Sequence, residues 1–190
     1  METIFETKEV LRKKYLDKRM TLSQDEVFLF SEQIFETFLK EFSIKSNSKI
    51  HCFLPITSKN EVNTQFFFDY CFKNDIKIFV PKIVADDLIS IEVTPDTEFS
   101  ISKWNIKEPK NSVSNTIKEF DFCLTPLLYC DAKGNRVGYG KGFYDRFFSE
   151  NIVNTKVGLS FYRPDFLISD VLSSDIRLDF LIIPNQIFVF

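Results

Sequence analysis

The sequence predicts an α/β fold: a single domain over residues 1–190, built as a layered, mostly parallel sheet with some antiparallel strands and helices on both faces. Three observations predict it. Short apolar runs alternate with longer stretches of helical periodicity, which is the order of βαβ units. A chain of 190 residues buries roughly 70% of the surface it exposes when unfolded, so one core can form without disulfides or a structural metal. Two apolar runs near the C-terminus, 180–183 and 187–190, flank only Pro184-Asn185-Gln186. That connection is too short for a crossover, so this pair is antiparallel.

The elements follow in order. Residues 4–19 read as a charged helix, with Leu11 and Tyr15 at i, i+4. Ser23 and Glu26 form a capping box, the serine accepting from the Glu26 amide while the glutamate reaches back. The helix they open runs to about Phe42, with Val27, Phe30, Ile34 and Phe38 on one stripe. Residues 49–54 read as a buried strand ended by Pro55. Thr64 caps a third helix through Phe72, with Phe67, Tyr70 and Cys71 facing inward. Strands follow at 77–80, ended by Pro81, at 88–93, and at 120–125 before Pro126. A fourth helix starts near Gly142 and runs to Glu150, and 156–160 is again a strand.

Composition narrows the class of function. Hydrophobic residues are 44% and charged residues 27% of the chain, so it is not disordered, and a net charge of -3 supplies no basic field for nucleic acid. The cysteines, Cys52, Cys71, Cys123 and Cys130, lack zinc-ligand spacing, and His51 is the one histidine. His51 stands in the apolar run Ile50-His51-Cys52-Phe53-Leu54 and reads as a core or strand-edge residue. The charged N-terminus has no signal-peptide pattern, and no apolar run reaches the roughly 18 residues of a membrane span. The expectation is a cytoplasmic monomer with reduced thiols and no nucleic-acid or membrane partner. The 23 phenylalanines are spread along the chain and read as core filling.

Of five glycines, four fall within residues 134–142: Gly134, Gly138, Gly140 and Gly142. Glycine permits positive φ and close approach to the backbone. The segment follows a strand and enters a helix, where free amides and the helix dipole attract anions, and Arg136 and Lys141 add charge. The pattern suits a phosphate cradle, or a glycine-rich hairpin and helix entry with surface charges. It matches neither the Walker pattern, since Gly142 follows Lys141, nor G-x-G-x-x-G, since its glycines alternate.

The run Gly134-Asn135-Arg136-Val137-Gly138-Tyr139-Gly140-Lys141-Gly142-Phe143-Tyr144-Asp145-Arg146 resembles the signature of the 5-formyltetrahydrofolate cyclo-ligase (methenyltetrahydrofolate synthetase) family. Further ordered segments extend the resemblance along nearly the whole chain: Lys8-Glu9-Val10-Leu11-Arg12, Asn60-Glu61-Val62-Asn63-Thr64, Trp104-Asn105-Ile106-Lys107-Glu108-Pro109 and Arg177-Leu178-Asp179. The resemblance implies an ATP- and Mg2+-dependent cyclisation of 5-formyltetrahydrofolate to 5,10-methenyltetrahydrofolate, with ATP as co-substrate and ADP and phosphate released. The reaction needs positioned ligands and screened phosphate charge, not a histidine or cysteine nucleophile.

The same resemblance implies the roles. ATP is held by Lys8, Arg12, Arg136, Gly138, Tyr139, Gly140, Lys141, Gly142, Phe143, Tyr144 and Asp145, with Lys141 and Arg136 closest to the chemistry. Mg2+ is held by Asp145 and Asp179, and the folate by Ile56, Glu61, Trp104, Tyr139 and Tyr144. A carboxylate such as Glu61 suits a pteridine, whose amide and amine donors it can accept together. Two stretches depart from the family pattern. Leu127 stands where the family has glycine, narrowing the adjacent pocket, and 161–166 is atypical. The competing readings are a non-catalytic nucleotide- or phosphate-binding regulatory module and a sugar-phosphate enzyme on a related α/β sheet.

Overall fold

A computed structural model describes residues 4–85, 87–102, 107–110 and 117–190. In chain order its elements are β1 (Phe5–Glu6), α1 (Lys8–Met20), α2 (Gln24–Glu41), β2 (Lys49–Cys52), α3 (Gln65–Lys73), β3 (Lys77–Val84), β4 (Asp87–Val93), β5 (Phe99–Ile101), β6 (Lys107–Pro109), β7 (Glu119–Pro126), β8 (Tyr129–Cys130), β9 (Arg136–Val137), α4 (Phe143–Glu150), β10 (Ile152–Leu159), β11 (Leu167–Ile168), β12 (Phe180–Ile183) and β13 (Gln186–Val189).

Seven strands form the central sheet in the order β13-β12-β10-β7-β2-β3-β4. The five inner strands are parallel neighbours, and the two edge strands, β13 and β4, run antiparallel to β12 and β3. The mostly parallel α/β sheet read from the sequence is therefore the one observed. Its inner strands alternate between two apolar faces. Ile50, Ile78, Leu124 and Val157 meet Ile34 and Phe38 of α2 and Phe67 of α3. Phe79, Phe120 and Cys123 meet Phe147 and Phe148 of α4. α1 lies over the β8–β9 hairpin, where Leu11 and Tyr15 pack on Tyr129 and Val137, and the Tyr15 and Tyr129 rings stack at 4.4 Å.

Several local expectations shift for physical reasons. The first helix starts at Lys8, not residue 4, because Thr7 caps it, its side chain accepting from the Val10 amide, and residues 5–6 pair in parallel with 167–168. The Ser23–Glu26 capping box forms as read. Phe30 is only half-buried; Ser31 joins the stripe instead, its hydroxyl donating to Val27 O and accepting from the Asn63 amide. Thr64 precedes α3, but its hydroxyl donates to Phe53 O rather than capping. Pro81 does not end its strand: β2 flanks β3 only as far as Phe79, so on that side no strand needs the missing N–H, while β4 continues alongside with Ser90 opposite Pro81.

The parallel strands place a crevice. From β2 the chain steps to β3 on one side, while β7, β10 and β12 lie on the other. β2 and β7 are therefore the switch point, and in open α/β sheets ligands bind beyond the carboxyl ends of strands at that point.

Candidate functional site

A cleft opens where the loops leaving β2, β7 and β10 diverge, lined by Phe53, Glu61, Leu127, Leu159 and Tyr162, with Arg19 of α1. The loop after β2 forms a short 3-10 turn at Thr57–Lys59 and then Asn60 in the left-handed region, φ 49°. Asn60 Nδ2 donates to Arg19 O and Leu22 O, so this loop is fastened to the end of α1.

That fastening buries Glu61, which is 4% exposed. Its Oε2 accepts from the Ile56 amide at 2.8 Å and its Oε1 from the Tyr139 hydroxyl at 2.7 Å. Burial pushes its carboxyl above the usual range, opposed by the Ile56 amide, the Arg19 charge, the Tyr139 hydroxyl and Lys59. Ile56, half-buried, thus meets Glu61 through its backbone.

Arg19 was not singled out by the sequence. It is 5% exposed and its guanidinium is held on all three nitrogens: Nε donates to Lys59 O at 2.8 Å, Nη1 to Leu127 O at 3.2 Å and Nη2 to Tyr139 Oη at 2.5 Å. The available signal was its spacing. Leu11, Tyr15 and Arg19 stand at i, i+4 and i+8, so the arginine continues the buried stripe of an otherwise solvated helix.

The glycine segment begins at the β8–β9 turn. Buried Asp131 accepts there from the Lys133 and Asn135 amides, Asn135 Nδ2 and the Ile168 amide, and Gly134 takes φ 80°. Beyond β9, Gly140 and Gly142 have φ 86° and 66°, and Gly142 leads into α4 without a side-chain cap. A Cβ at Gly138 would meet nothing within 4 Å, whereas one at Gly140 would lie 3.4 Å from Arg12. Arg12 Nε donates to Gly138 O at 2.9 Å, so α1 does pack beside the loop across 126 residues of sequence. Lys141 is exposed beside it.

A third group closes this edge. Arg136 and Asp145 pair at 2.6 Å, and Asp145 Oδ1 also accepts from the Ile176 amide at 3.0 Å. Arg136 Nη1 donates to Ile176 O. One residue earlier, Asp175 pairs with Lys8 Nζ. The structure thus gathers Lys8, Arg12, Arg136, Lys141 and Asp145 around the glycine loop. Asp179 is not part of that gathering: its Oδ2 accepts from the Lys156 amide at 2.7 Å and pairs with Lys156 Nζ at 2.9 Å, as β12 begins beside β10. Asp175, four residues earlier, is the acid the fold brings to this edge. Among the described residues no group of three or more acids, histidines or cysteines could by itself hold a metal.

Phe143 is half-buried under the Arg146 guanidinium at 5.3 Å. Tyr144 Oη is buried without a hydrogen-bond partner, and its ring meets His51 edge-on at 6.2 Å. Trp104 lies outside the described residues. Leu127 lines the cleft but also packs with Cys130, Leu178, Leu181 and Ile183, its Cδ2 filling the space that a Cβ at Gly158 would take. His51 is core, as the sequence suggests: fully buried, with Nδ1 3.5 Å from Cys123 Sγ. Among the described residues no helix is long and apolar enough to cross a membrane.

A model of the 5-formyltetrahydrofolate cyclo-ligase family matches residues 4–161. A 5-formyltetrahydrofolate cyclo-ligase of Mycoplasma pneumoniae is 32% identical over 181 residues, 92% of this chain and 97% of its own length. Two solved structures share the fold. The 5,10-methenyltetrahydrofolate synthetase of Aquifex aeolicus superposes with TM-score 0.81 and 27% identity, covering 96% of this chain and 92% of that one. The 5,10-methenyltetrahydrofolate synthetase of Mycoplasma pneumoniae superposes with TM-score 0.72 and 29% identity, covering 95% and 100%.

Proposed function

This chain belongs to the 5-formyltetrahydrofolate cyclo-ligase family, and from that premise we propose that it cyclises 5-formyltetrahydrofolate to 5,10-methenyltetrahydrofolate at the expense of ATP. The observation that carries the reading is the placement of Glu61. A buried carboxylate faces the switch-point cleft, and the glycine loop with its four cations joins it through Tyr139.

The chemistry requires ATP because a formamide oxygen is a poor leaving group. The formyl oxygen attacks the γ-phosphorus and ADP leaves, giving a formyl phosphate ester with iminium character at N5. N10 then attacks the formyl carbon, the C–O bond breaks, and inorganic phosphate departs carrying the proton that N10 loses. Each step shifts charge between phosphate oxygens and the folate nitrogens, so the protein's work is positioning and electrostatics.

Glu61 orients the folate. Each of its oxygens accepts one protein hydrogen bond and keeps a lone pair for the paired donors of a pteridine edge. At the other end the amides of 138–142 and the open side of Gly138 accommodate phosphate oxygens. Lys141, Arg136, Lys8 and Arg12 balance the polyphosphate charge. Arg136 and Lys8 already face Asp145 and Asp175, so binding there exchanges a carboxylate partner for a phosphate one.

The residues fit a metal that arrives with the nucleotide. Mg2+ bound to phosphates takes only one or two protein carboxylates. Asp145 Oδ2 has no protein partner among the described residues, and it would hold the ion, with Asp175 the second carboxylate of that edge. When bound, the ion neutralises charge building on the β- and γ-phosphates. Asp179, committed to Lys156, does not fit this role.

The test is the absorbance of methenyltetrahydrofolate formed from 5-formyltetrahydrofolate, with ATP and Mg2+ omitted in turn. Product requiring both supports the reading; no product with all components present overturns it.

A further inference from the structure

The cyclisation chemistry assigns no role to Arg19, yet no other cation of the described chain is so enclosed at the cleft. Its partners come from three separate parts of the fold: Lys59 O from the loop after β2, Leu127 O from the end of β7, and Tyr139 Oη from the glycine segment. Burying a guanidinium is costly, and three hydrogen bonds to neutral oxygens do not cancel its charge. The nearest anion is Glu61, whose Oε1 lies 3.9 Å from Nη2. Tyr139 stands between them, accepting from Arg19 at 2.5 Å and donating to Glu61 at 2.7 Å.

We propose that Arg19 is a positioning residue of the folate site, acting through the Tyr139 hydroxyl to fix the orientation of the Glu61 carboxylate. The proposal rests on the cyclo-ligase reading of this cleft. A tyrosine hydroxyl has one proton, and its torsion decides which neighbour receives it. Arg19 has no acceptor, so it occupies a Tyr139 lone pair and turns the proton toward Glu61 Oε1. With Oε2 held by the Ile56 amide and Oε1 by the Tyr139 hydroxyl, the carboxylate plane is fixed from both sides at the wall of the cleft that Glu61 lines.

Charge adds to geometry. Arg19, Lys59, Tyr139 and the Ile56 amide all favour the ionised form of Glu61 against burial. The buried Tyr144 hydroxyl also faces it, and Glu61 helps to keep that hydroxyl protonated. A protonated carboxyl would present a donor to the pteridine donors and lose an acceptor. Removing Arg19 therefore has a specific signature. Glu61 takes up its proton at higher pH, and folate recognition fails on the acid side first. Phosphate handling is spared, because it rests on backbone amides and on Lys8, Arg12, Arg136 and Lys141, none of which Arg19 bonds.

The experiment compares the parent with Arg19→Met, Arg19→Lys and Tyr139→Phe, measuring kcat/KM for 5-formyltetrahydrofolate against pH at saturating ATP. Parent turnover is the control: its absence would overturn the cyclo-ligase reading itself, before any variant is considered. Given parent activity, Arg19→Met should move the acid limb up by about 1 pH unit, the size expected for loss of a nearby opposite charge. KM for folate should rise roughly tenfold below the new limb, since one pH unit is one decade there. KM for ATP should stay within about twofold of the parent, the change expected where no contact is altered. Arg19→Lys keeps a charge and should restore much of the limb. Tyr139→Phe removes only the relaying oxygen and should displace the limb in the same direction, which decides the matter should Arg19→Met fail to fold. A limb that stays in place in the folded variants overturns the proposal. So does an equal fall of kcat at every pH with an unmoved limb, since that is what a merely structural arginine would produce.

Discussion

Arg136 and Asp145 face each other at 2.6 Å from the two ends of the glycine segment, one on β9 and the other in the first turn of α4. The arginine side chain is 7% exposed and the aspartate 27%, so the pair is anchored on its cationic side and open on its anionic one. The two ends of the loop are thereby tied, and the carboxylate keeps access to solvent.

Replacement of Asp145 by asparagine should separate charge from shape. The amide oxygen can still accept from Arg136 and from the Ile176 amide, so the fold should persist. The lost charge should raise the Mg2+ concentration for half-maximal activity about tenfold or more, as a hard cation loses its carboxylate oxygen. Initial rates titrated with Mg2+ at fixed ATP provide the check. A titration superimposing on the parent's would remove Asp145 from the metal site.

Lys141→Ala should act on ATP alone. The side chain is exposed, so stability should change by no more than about 0.5 kcal/mol. Loss of one charge-assisted contact to phosphate is worth about 1.5–3 kcal/mol, which is about 10- to 150-fold in KM for ATP or in turnover. KM for folate should hold. Unaltered ATP kinetics would place Lys141 outside the phosphate site.

The sequence made the large elements legible because they repeat a period. The Ser23–Glu26 box, the parallel core and the antiparallel edge behind Pro184 all carry patterns several residues long. Two-residue pairings carry none, so β1 with β11 and β8 with β9 could not be seen. Arg19 was hidden by its neighbours: Lys13, Lys14 and Lys18 make the helix look uniformly solvated, and only the 11, 15, 19 spacing betrays one buried cation. The expected second acid, Asp179, lies away from the loop for a related reason. Asp175 and Asp179 share a short segment without regular structure, and only the turn that pairs Ile176 with Asp145 shows which of them reaches the loop.

The paired charges of α1 provide a third test. A helical wheel suggests that Lys8 and Arg12 repel slightly and that reversing both costs little. The structure changes this expectation, because Lys8 pairs with Asp175 and Arg12 donates to Gly138 O. Lys8→Glu with Arg12→Glu should therefore abolish ATP-dependent cyclisation and also lower stability, by up to about 3–6 kcal/mol, the sum of two charged hydrogen bonds of about 1.5–3 kcal/mol each. Thermal denaturation and the cyclisation assay check the two parts separately. A folded, fully active double variant would remove α1 from the nucleotide site.

Acid stability should report on His51, which the reaction does not use. The imidazole is enclosed by Phe120, Tyr144 and Phe147, with its Nε2 unpaired, and burial alone pulls its pKa from 6.5 to about 3. Between those values the unfolded chain binds a proton that the folded one refuses. The neutral histidine therefore opposes folding nowhere above pH 6.5, and stability is lost progressively as pH falls from 6.5 toward 3. Between pH 7 and pH 5 the loss from this group is about 2 kcal/mol by linkage. Glu61, whose folded pKa is raised, works in the opposite direction, but it contributes equally to parent and variant and cancels in the comparison. His51→Leu, which keeps an apolar side chain of similar size and cannot titrate, should lose correspondingly less stability over that interval, whatever its stability at pH 7. Urea unfolding of both proteins at pH 7 and pH 5 measures the difference. Equal losses would mean that the imidazole is protonated within the fold, and that the apolar enclosure drawn around it is wrong.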